Sequence, residues 1–226
     1  MRKKIIVFAP HPDDETLGCG GTIAKRISEG YDVLVVVMTD GRNAFKNVLN
    51  IHFDPTPEEL MEIRKEEVKR ATRILGISEE NLIFMDFVDG TLENNEEKAE
   101  EKVTEILSKN QPVEIYFPYK GDGHPDHRTT YRIVRNSIRK LAISAPAYQY
   151  SIAPKYARLG PVINNFLRFF KNHIVYVDIS MFLSIKEAAL QEFKSELTAI
   201  STKQHKTVLN GTKKFLKRKE IFYIEN

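Results

Sequence analysis

The chain has 226 residues, 42% hydrophobic and 29% charged, with a formal net charge of +3, an ordinary balance for one sizeable soluble unit. The single cysteine, Cys19, excludes an internal disulfide and a cysteine-rich zinc site. No apolar run approaches the ~18 to 20 residues of a membrane span, and Ile5 to Pro10 is too short for a signal-peptide core, so a soluble, cytoplasmic protein is expected.

Lys4 to Ala9 (KIIVFA) is compact, apolar and β-branched, and reads as a buried strand. Leu17, Ile23, Ala24 and Ile27 follow at helical spacing, and Gly30 supplies a stop. Asp32 to Met38 (DVLVVVM) is a second strand. Runs that are apolar at every position suit strands covered on both faces, hence a parallel sheet. Thr56 then offers an N-cap, Pro57 a first helical residue and Glu58–Glu59 an acidic first turn, for a helix running to about Leu75 with Gly76 beyond it. Asn81 to Met85 is a third strand, Asn95 to Lys109 a helix, Val113 to Phe117 a fourth strand, and about His127 to Leu141 another helix.

This alternation over the first ~140 residues predicts right-handed βαβ units and a Rossmann-like α/β fold, a mostly parallel sheet flanked by helices. Beyond Ala142 the pattern loosens. Ala147 to Ile152, Ile174 to Ile179 and Glu220 to Ile224 read as strands, Val162 to Phe170 as an apolar segment, and Ser184 to Thr202 as one long amphipathic helix. With no repeat or low-complexity linker, residues 1–226 are read as one domain, a 1–141 core with a 142–226 α/β extension. Seven Lys/Arg and no acid fall between Lys203 and Lys219, a run read as a solvated helix face and tail rather than a patch for an anionic lipid or polymer.

In open α/β sheets, ligands bind beyond the carboxyl ends of the strands. The loop after the first strand reads Ala9-Pro10-His11-Pro12-Asp13-Asp14-Glu15, and the one after the fourth reads Gly121-Asp122-Gly123-His124-Pro125-Asp126-His127. Catalytic zinc takes three ligands from histidine and carboxylate and keeps a position for water. One loop offers His11 with a nearby carboxylate, and the other offers two histidines. His52, His173 and His205 have no such setting and are assigned to surface or core packing. Glu15, near a helix start, suits a structural role. Gly18, Gly20 and Gly21 lack a nucleotide-loop register and read as close helix–sheet packing, with Cys19 a small buried residue.

PHPDDETLGCGG resembles the (A/P)HPDDE signature of the PIG-L/LmbE-like zinc-dependent N-deacetylases, and GDGHPDHR resembles their HPDH segment. Weaker matches include Thr39-Asp40-Gly41, Arg64 to Glu67, Asp89-Gly90, and Lys186 with Ser195. The resemblance implies that His11, Asp14 and His127 bind zinc and that Asp13 is the general base. It implies that His124, as imidazolium, faces the oxyanion and is a candidate to protonate the leaving nitrogen, and that Arg64 reaches the substrate. Residue chemistry agrees: zinc lowers the pKa of bound water from about 15.7 to about 7, and a free carboxylate beside it accepts the proton. Asp126 either orients His124 or supports the metal. Fe²⁺ or Co²⁺ suits the same ligands as Zn²⁺. Arg42, Glu196 and Tyr119-Lys120 depart from the usual pattern near the pocket.

The leading expectation is therefore hydrolysis of an N-acetyl group on an N-acetylglucosamine-type sugar or glycoconjugate. A non-sugar amidase or phosphoesterase, and a metal-holding binding module, are the alternatives. The partner is a small molecule, with no nucleic acid and no transmembrane segment expected, and a homo-oligomer is compatible with exposed sheet edges.

Overall fold

A computed structural model describes residues 3–152 and 174–225. Seven strands form one sheet in the order β3-β2-β1-β4-β5-β7-β6. They are β1 (Lys4–Ala9), β2 (Asp32–Thr39), β3 (Leu82–Phe87), β4 (Glu114–Pro118), β5 (Ala147–Tyr150), β6 (Ile174–Asp178) and β7 (Lys219–Ile224). The first five pair in parallel, while β7 runs antiparallel between β5 and β6. The helices are α1 (Asp14–Ser28), α2 (Pro57–Ile74), α3 (Glu96–Asn110), α4 (Pro125–Lys140), α5 (Leu183–Leu190) and α6 (Lys194–Leu197).

The uninterrupted apolar strands have a direct explanation. Successive side chains of β1 point to opposite faces, so Ile5, Val7 and Ala9 enter one core while Ile6 and Phe8 enter the other. In β2, Val33, Val35 and Val37 join the first core, and Leu34, Val36 and Met38 the second. Cys19, Ile23 and Ala24 of α1 and Val68 and Ala71 of α2 cover the first face. Ala99, Val103 and Leu107 of α3, with Ile133 and Val134 of α4, cover the second. Each fully buried aliphatic side chain contributes about 1.5–3 kcal/mol, so the two-sided β1 and β2 form the stable centre of the sheet.

The strand order reverses direction at β1, whose neighbours are β2 and β4. The chain leaves β1 toward one edge through α1 and returns to the other side through α3, and the divergence of the loops after β1 and β4 opens a crevice beyond their carboxyl ends. Both His/Asp loops begin there.

Several sequence expectations shift. The long helix over 184–202 is two short ones, α5 and α6, because the chain turns at Phe193 to bury that ring in the first core. The basic run 203–219 is largely exposed but forms no helix before β7. α1 starts at Asp14 and α4 at Pro125, each earlier than periodicity indicates, with Asp13 and His124 in the N-cap positions. Cys19 is buried, as read from the sequence. The Val162–Phe170 segment and His173 lie outside the described residues, whereas His52 and His205 are exposed. No helix among the described residues is long and apolar enough to cross a membrane.

Candidate metal centre

The first loop leaves β1 at Pro10, whose carbonyl accepts both the amide and the hydroxyl of Thr39. It turns at His11, where the His11 amide donates to Asp14 Oδ2 at 3.0 Å, and α1 begins. The second loop ends at α4, capped by the His124 ring through its Nδ1, which accepts the Asp126 amide at 3.2 Å. These two helix starts face each other across the crevice.

Three donor atoms meet between them. His11 Nδ1 lies 3.2 Å from Asp14 Oδ2 and 3.2 Å from His127 Nε2, and His127 Nε2 lies 3.1 Å from Asp14 Oδ2. Tetrahedral bonds of about 2.0–2.1 Å require ligand atoms about 3.3 Å apart, so this near-equilateral triangle has the edge length of one face of a zinc tetrahedron. Two imidazole nitrogens and one carboxylate oxygen also form a donor set that suits zinc.

The far side of each histidine is held by carboxylates. His11 Nε2 meets Asp126 Oδ2 at 3.2 Å and Asp89 Oδ1 at 3.3 Å. His127 Nδ1 meets Asp122 Oδ2 at 3.4 Å. For His11, the hydrogen bond to Asp126 keeps the proton on the outward nitrogen and leaves the inward lone pair for a metal, whereas the Asp122 approach to His127 is at ion-pair distance without a hydrogen bond. His11, Asp89 and Asp126 are also close enough to form a cation site of their own. Their oxygens are already engaged, however: Asp126 accepts the Gly90 and Leu92 amides and Asp89 accepts the Asn43 amide. Asp14 Oδ2 accepts only the His11 amide among the described backbone donors, and it is the carboxylate oxygen that lies within 3.2 Å of a nitrogen of both His11 and His127.

The electrostatics ask for a cation. Burial opposes charge on every member, yet His127 and His11 outweigh it and hold Asp14 well below the carboxylate range. Burial likewise depresses His127, but Asp14 and Asp122 lift it to about 9. For His11, burial is overcome by Asp126, Asp14 and Asp89, and its affinity for a proton rises. In the metal-free state, protons do what a divalent ion would do.

His124 behaves differently. Burial, then His11 and His127, push it down to about 4. Its Nδ1 already accepts the Asp126 amide, so the neutral ring carries its proton on Nε2. The geometry therefore supports a neutral N–H donor, where the sequence reading has an imidazolium. Asp126 serves both readings left open for it, its carboxylate on His11 and its amide on His124.

Asp13 sits at φ 135, ψ −26, a conformation that costs a non-glycine residue about 1–3 kcal/mol. Its carbonyl accepts the Thr16 and Leu17 amides, and its own amide donates to Glu15 Oε2. Glu15, fully buried, thus props the turn from within. Burial, then Glu196 and Asp14, raise the Asp13 carboxyl well above its ordinary range, with Arg64 opposing. A base of raised proton affinity beside a metal position suits proton acceptance.

Arg64, expected to reach the substrate, bonds to neighbouring loops of the protein. It is 3% exposed, and donates to the carbonyls of Pro12 (2.7 Å) and Gly41 (3.2 Å). It pairs with Glu196 at 2.9 Å and lies 3.7 Å from Asp13 Oδ2. These bonds tie the loops together while its buried Nε keeps no hydrogen-bond partner among the described residues, and a Cβ at Gly41 would lie 2.9 Å from Arg64 Cζ. One turn along α2, Glu67 accepts the Ser195 amide and hydroxyl, fastening the C-terminal segment to the same place.

Sequence reasoning singled out neither Asp89 nor Asp122 as a supporter of the metal ligands. The signal was available for both, since each stands at the carboxyl end of a strand of the parallel sheet.

Comparison with known proteins shows the family. Residues 6–138 match the family model PIG-L, described as GlcNAc-PI de-N-acetylase. Diacetylchitobiose deacetylase of Thermococcus kodakarensis is 29% identical over 201 residues, 86% of this chain and 70% of that protein. Probable N-acetyl-alpha-D-glucosaminyl L-malate deacetylase 2 of Bacillus cereus is 33% identical over 146 residues, 62% of this chain and 63% of that protein. The chain thus spans less than two thirds of that second relative. The inhibitor complex of N,N'-diacetylchitobiose deacetylase from Pyrococcus horikoshii has the same fold, with a TM-score of 0.70 at 23% identity over 99% of this chain and 84% of the other. The chain belongs to the PIG-L family.

Proposed function

We propose that this PIG-L family member is a zinc-dependent N-deacetylase acting on an N-acetylglucosamine-type sugar or glycoconjugate. The 3.1–3.2 Å triangle of His11 Nδ1, Asp14 Oδ2 and His127 Nε2 carries the reading. Two of the relatives are named for deacetylation of such compounds.

In this reading His11, Asp14 and His127 hold the ion. When bound, zinc supplies Lewis acidity, making water nucleophilic near neutral pH and polarising the acyl oxygen. Asp13 accepts the proton that the attacking water gives up. His124 donates through Nε2–H to the acyl oxygen as negative charge develops there, at a position fixed by its Nδ1 bond to the Asp126 amide. A C–O bond forms and the C–N bond breaks, and the proton held by Asp13 passes to the leaving nitrogen. The products are acetate and a free amine. Arg64 and Glu15 keep Asp13 in its unusual backbone conformation throughout.

Acetate release from a panel of N-acetylglucosaminyl compounds tests this, run with zinc, with chelator, and with His127→Ala. Chelator-sensitive release absent from the variant is the expected result. Full zinc occupancy in His127→Ala would overturn the ligand assignment, and release unaffected by chelator would overturn the metal chemistry.

A further inference from the structure

Lys186 of α5 and Glu220 of β7 take no part in the chemistry above, yet both are charged and nearly enclosed, at 1% and 6% exposure. The Lys186 ammonium donates to Glu220 Oε1 at 2.6 Å and to the Leu17 carbonyl at 2.9 Å. The Glu220 carboxylate in turn accepts the Gly21 amide at 3.0 Å and the Thr22 amide at 2.8 Å. All these backbone groups belong to α1, whose interior amides and carbonyls ordinarily bond only one another.

The signs are favourable. A cation at the Leu17 carbonyl and an anion at the Gly21 and Thr22 amides each match the dipole of the helical stretch they touch. The ion pair thus grips the backbone of the continuous helix α1 at two levels, at the Leu17 carbonyl and at the Gly21 and Thr22 amides. Side chains reach this backbone because it is stripped of its own. A Cβ at Gly20 would lie 3.2 Å from Lys186 Cγ, and one at Gly21 would lie 2.4 Å from Ile179 Cδ1.

Leu17 connects the pair to the metal centre. Its amide donates to the Asp13 carbonyl at 2.8 Å, and its carbonyl accepts from Lys186. Asp13, at φ 135, holds its conformation only if its surroundings over-determine it. An apolar pair could fill the same volume as a buried ion pair, often with no loss of stability. It could not grip the backbone of the turn that carries Asp13 and Asp14.

We propose that Lys186 and Glu220 are positioning residues that lock the first turn of α1, so that Asp14 meets His11 and His127 and Asp13 stands beside them. This rests on the metal-centre reading above. The test compares full-length wild type with Lys186→Met, Glu220→Gln and Gly20→Ala, the last pressing on Lys186 while keeping both charges. The readouts are the visible absorption spectrum of the cobalt-loaded protein and its Co²⁺ dissociation constant, with thermal melts alongside. Lys186→Met and Glu220→Gln are expected to weaken Co²⁺ binding by ~10-fold or more and to change the spectrum, with a smaller shift in Gly20→Ala. Lower melting temperatures with wild-type spectra and affinities would reduce the pair to a packing feature and overturn the proposal. Should Lys186→Met fail to fold, the other two variants decide by the same comparison. Wild type that takes up no cobalt would instead overturn the metal-centre reading itself, before any variant is compared.

Discussion

Removing the Asp126 carboxylate should weaken metal binding in a graded way that the contacts around it define. Asp126→Ala deletes the hydrogen bond to His11 Nε2 at 3.2 Å and those from the Gly90 amide at 2.7 Å and the Leu92 amide at 3.3 Å. Removing a carboxylate behind a metal-bound histidine typically costs about 10- to 100-fold in affinity. Asp89 still holds His11 Nε2 at 3.3 Å, which places Asp126→Ala near the lower bound, about tenfold or 1.4 kcal/mol. The double variant Asp89→Ala/Asp126→Ala leaves the ring without either partner and should approach 100-fold. Asp126→Asn can keep its oxygen toward His11 and Gly90 and turn its amide toward Leu92, sacrificing only the longest bond, so it should lose less than Asp126→Ala. Stability follows separately, because Leu92 is buried and its orphaned amide costs about 1–3 kcal/mol. Zinc affinity by competition with a chromophoric chelator, and melting temperature of the chelated proteins, measure the two effects. Wild-type affinity in the double variant would refute the claim that carboxylates set the His11 tautomer.

Asp13→Asn should keep zinc and lose about 10²- to 10⁴-fold in kcat, read as acetate release alongside metal content; a normal rate would remove Asp13 from proton transfer. Zinc affinity should climb from pH 6 to about 9, since His127, held up at about 9, must give its proton to the metal, with a gain of up to about tenfold per pH unit. The linkage for the chelated protein has the opposite slope. A histidine raised in the folded state stabilises fully below its unfolded pKa of about 6.5 and loses that contribution as pH rises through 9, so its melting temperature should fall across that window. Gly21→Ala places a Cβ 2.4 Å from Ile179 Cδ1 in a closed core and should destabilise by about 1–3 kcal/mol in a denaturant titration.

Periodicity reveals the layers because each strand of the central sheet is covered twice, and KIIVFA and DVLVVVM record both cores. It places helix starts less well, because Asp13 and His124 cap their helices while serving the site, and neither belongs to the apolar pattern. The long helix from Ser184 is divided by a tertiary demand, the burial of Phe193, that helical spacing alone cannot register. The three residues proposed as ligands, His11, Asp14 and His127, stand in two short motifs at equivalent strand ends, and the fold brings their donor atoms within 3.1–3.2 Å of one another. For Arg64 the sequence suggests a residue facing ligand, and only the fold shows that its guanidinium also bonds Pro12, Gly41 and Glu196. Asp89 and Asp122 stand within matched segments, Asp89-Gly90 and GDGHPDHR, but their contacts to His11 and His127 arise only when the loops converge.

The charge inventory explains why fold and metal belong together here. Asp13, Asp14, Asp89, Asp122 and Asp126 are all buried around three imidazoles. Burying a carboxylate without a partner costs several kcal/mol, and hydrogen bonds from the Gly90, Leu92 and Asn43 amides repay only part of it. The raised proton affinities of His11 and His127 register the deficit that remains. A divalent ion at the triangle would replace those protons with two charges at one point, and would stabilise the folded chain by about 2.7 kcal/mol at a concentration 100 times its dissociation constant. Arg64 supplies the only guanidinium in contact with Asp13 among the described residues, and it is shared with Glu196. The strained turn at Asp13 is therefore held by buried charge from three directions: the metal position, the Arg64 clamp, and the Lys186–Glu220 pair behind Leu17.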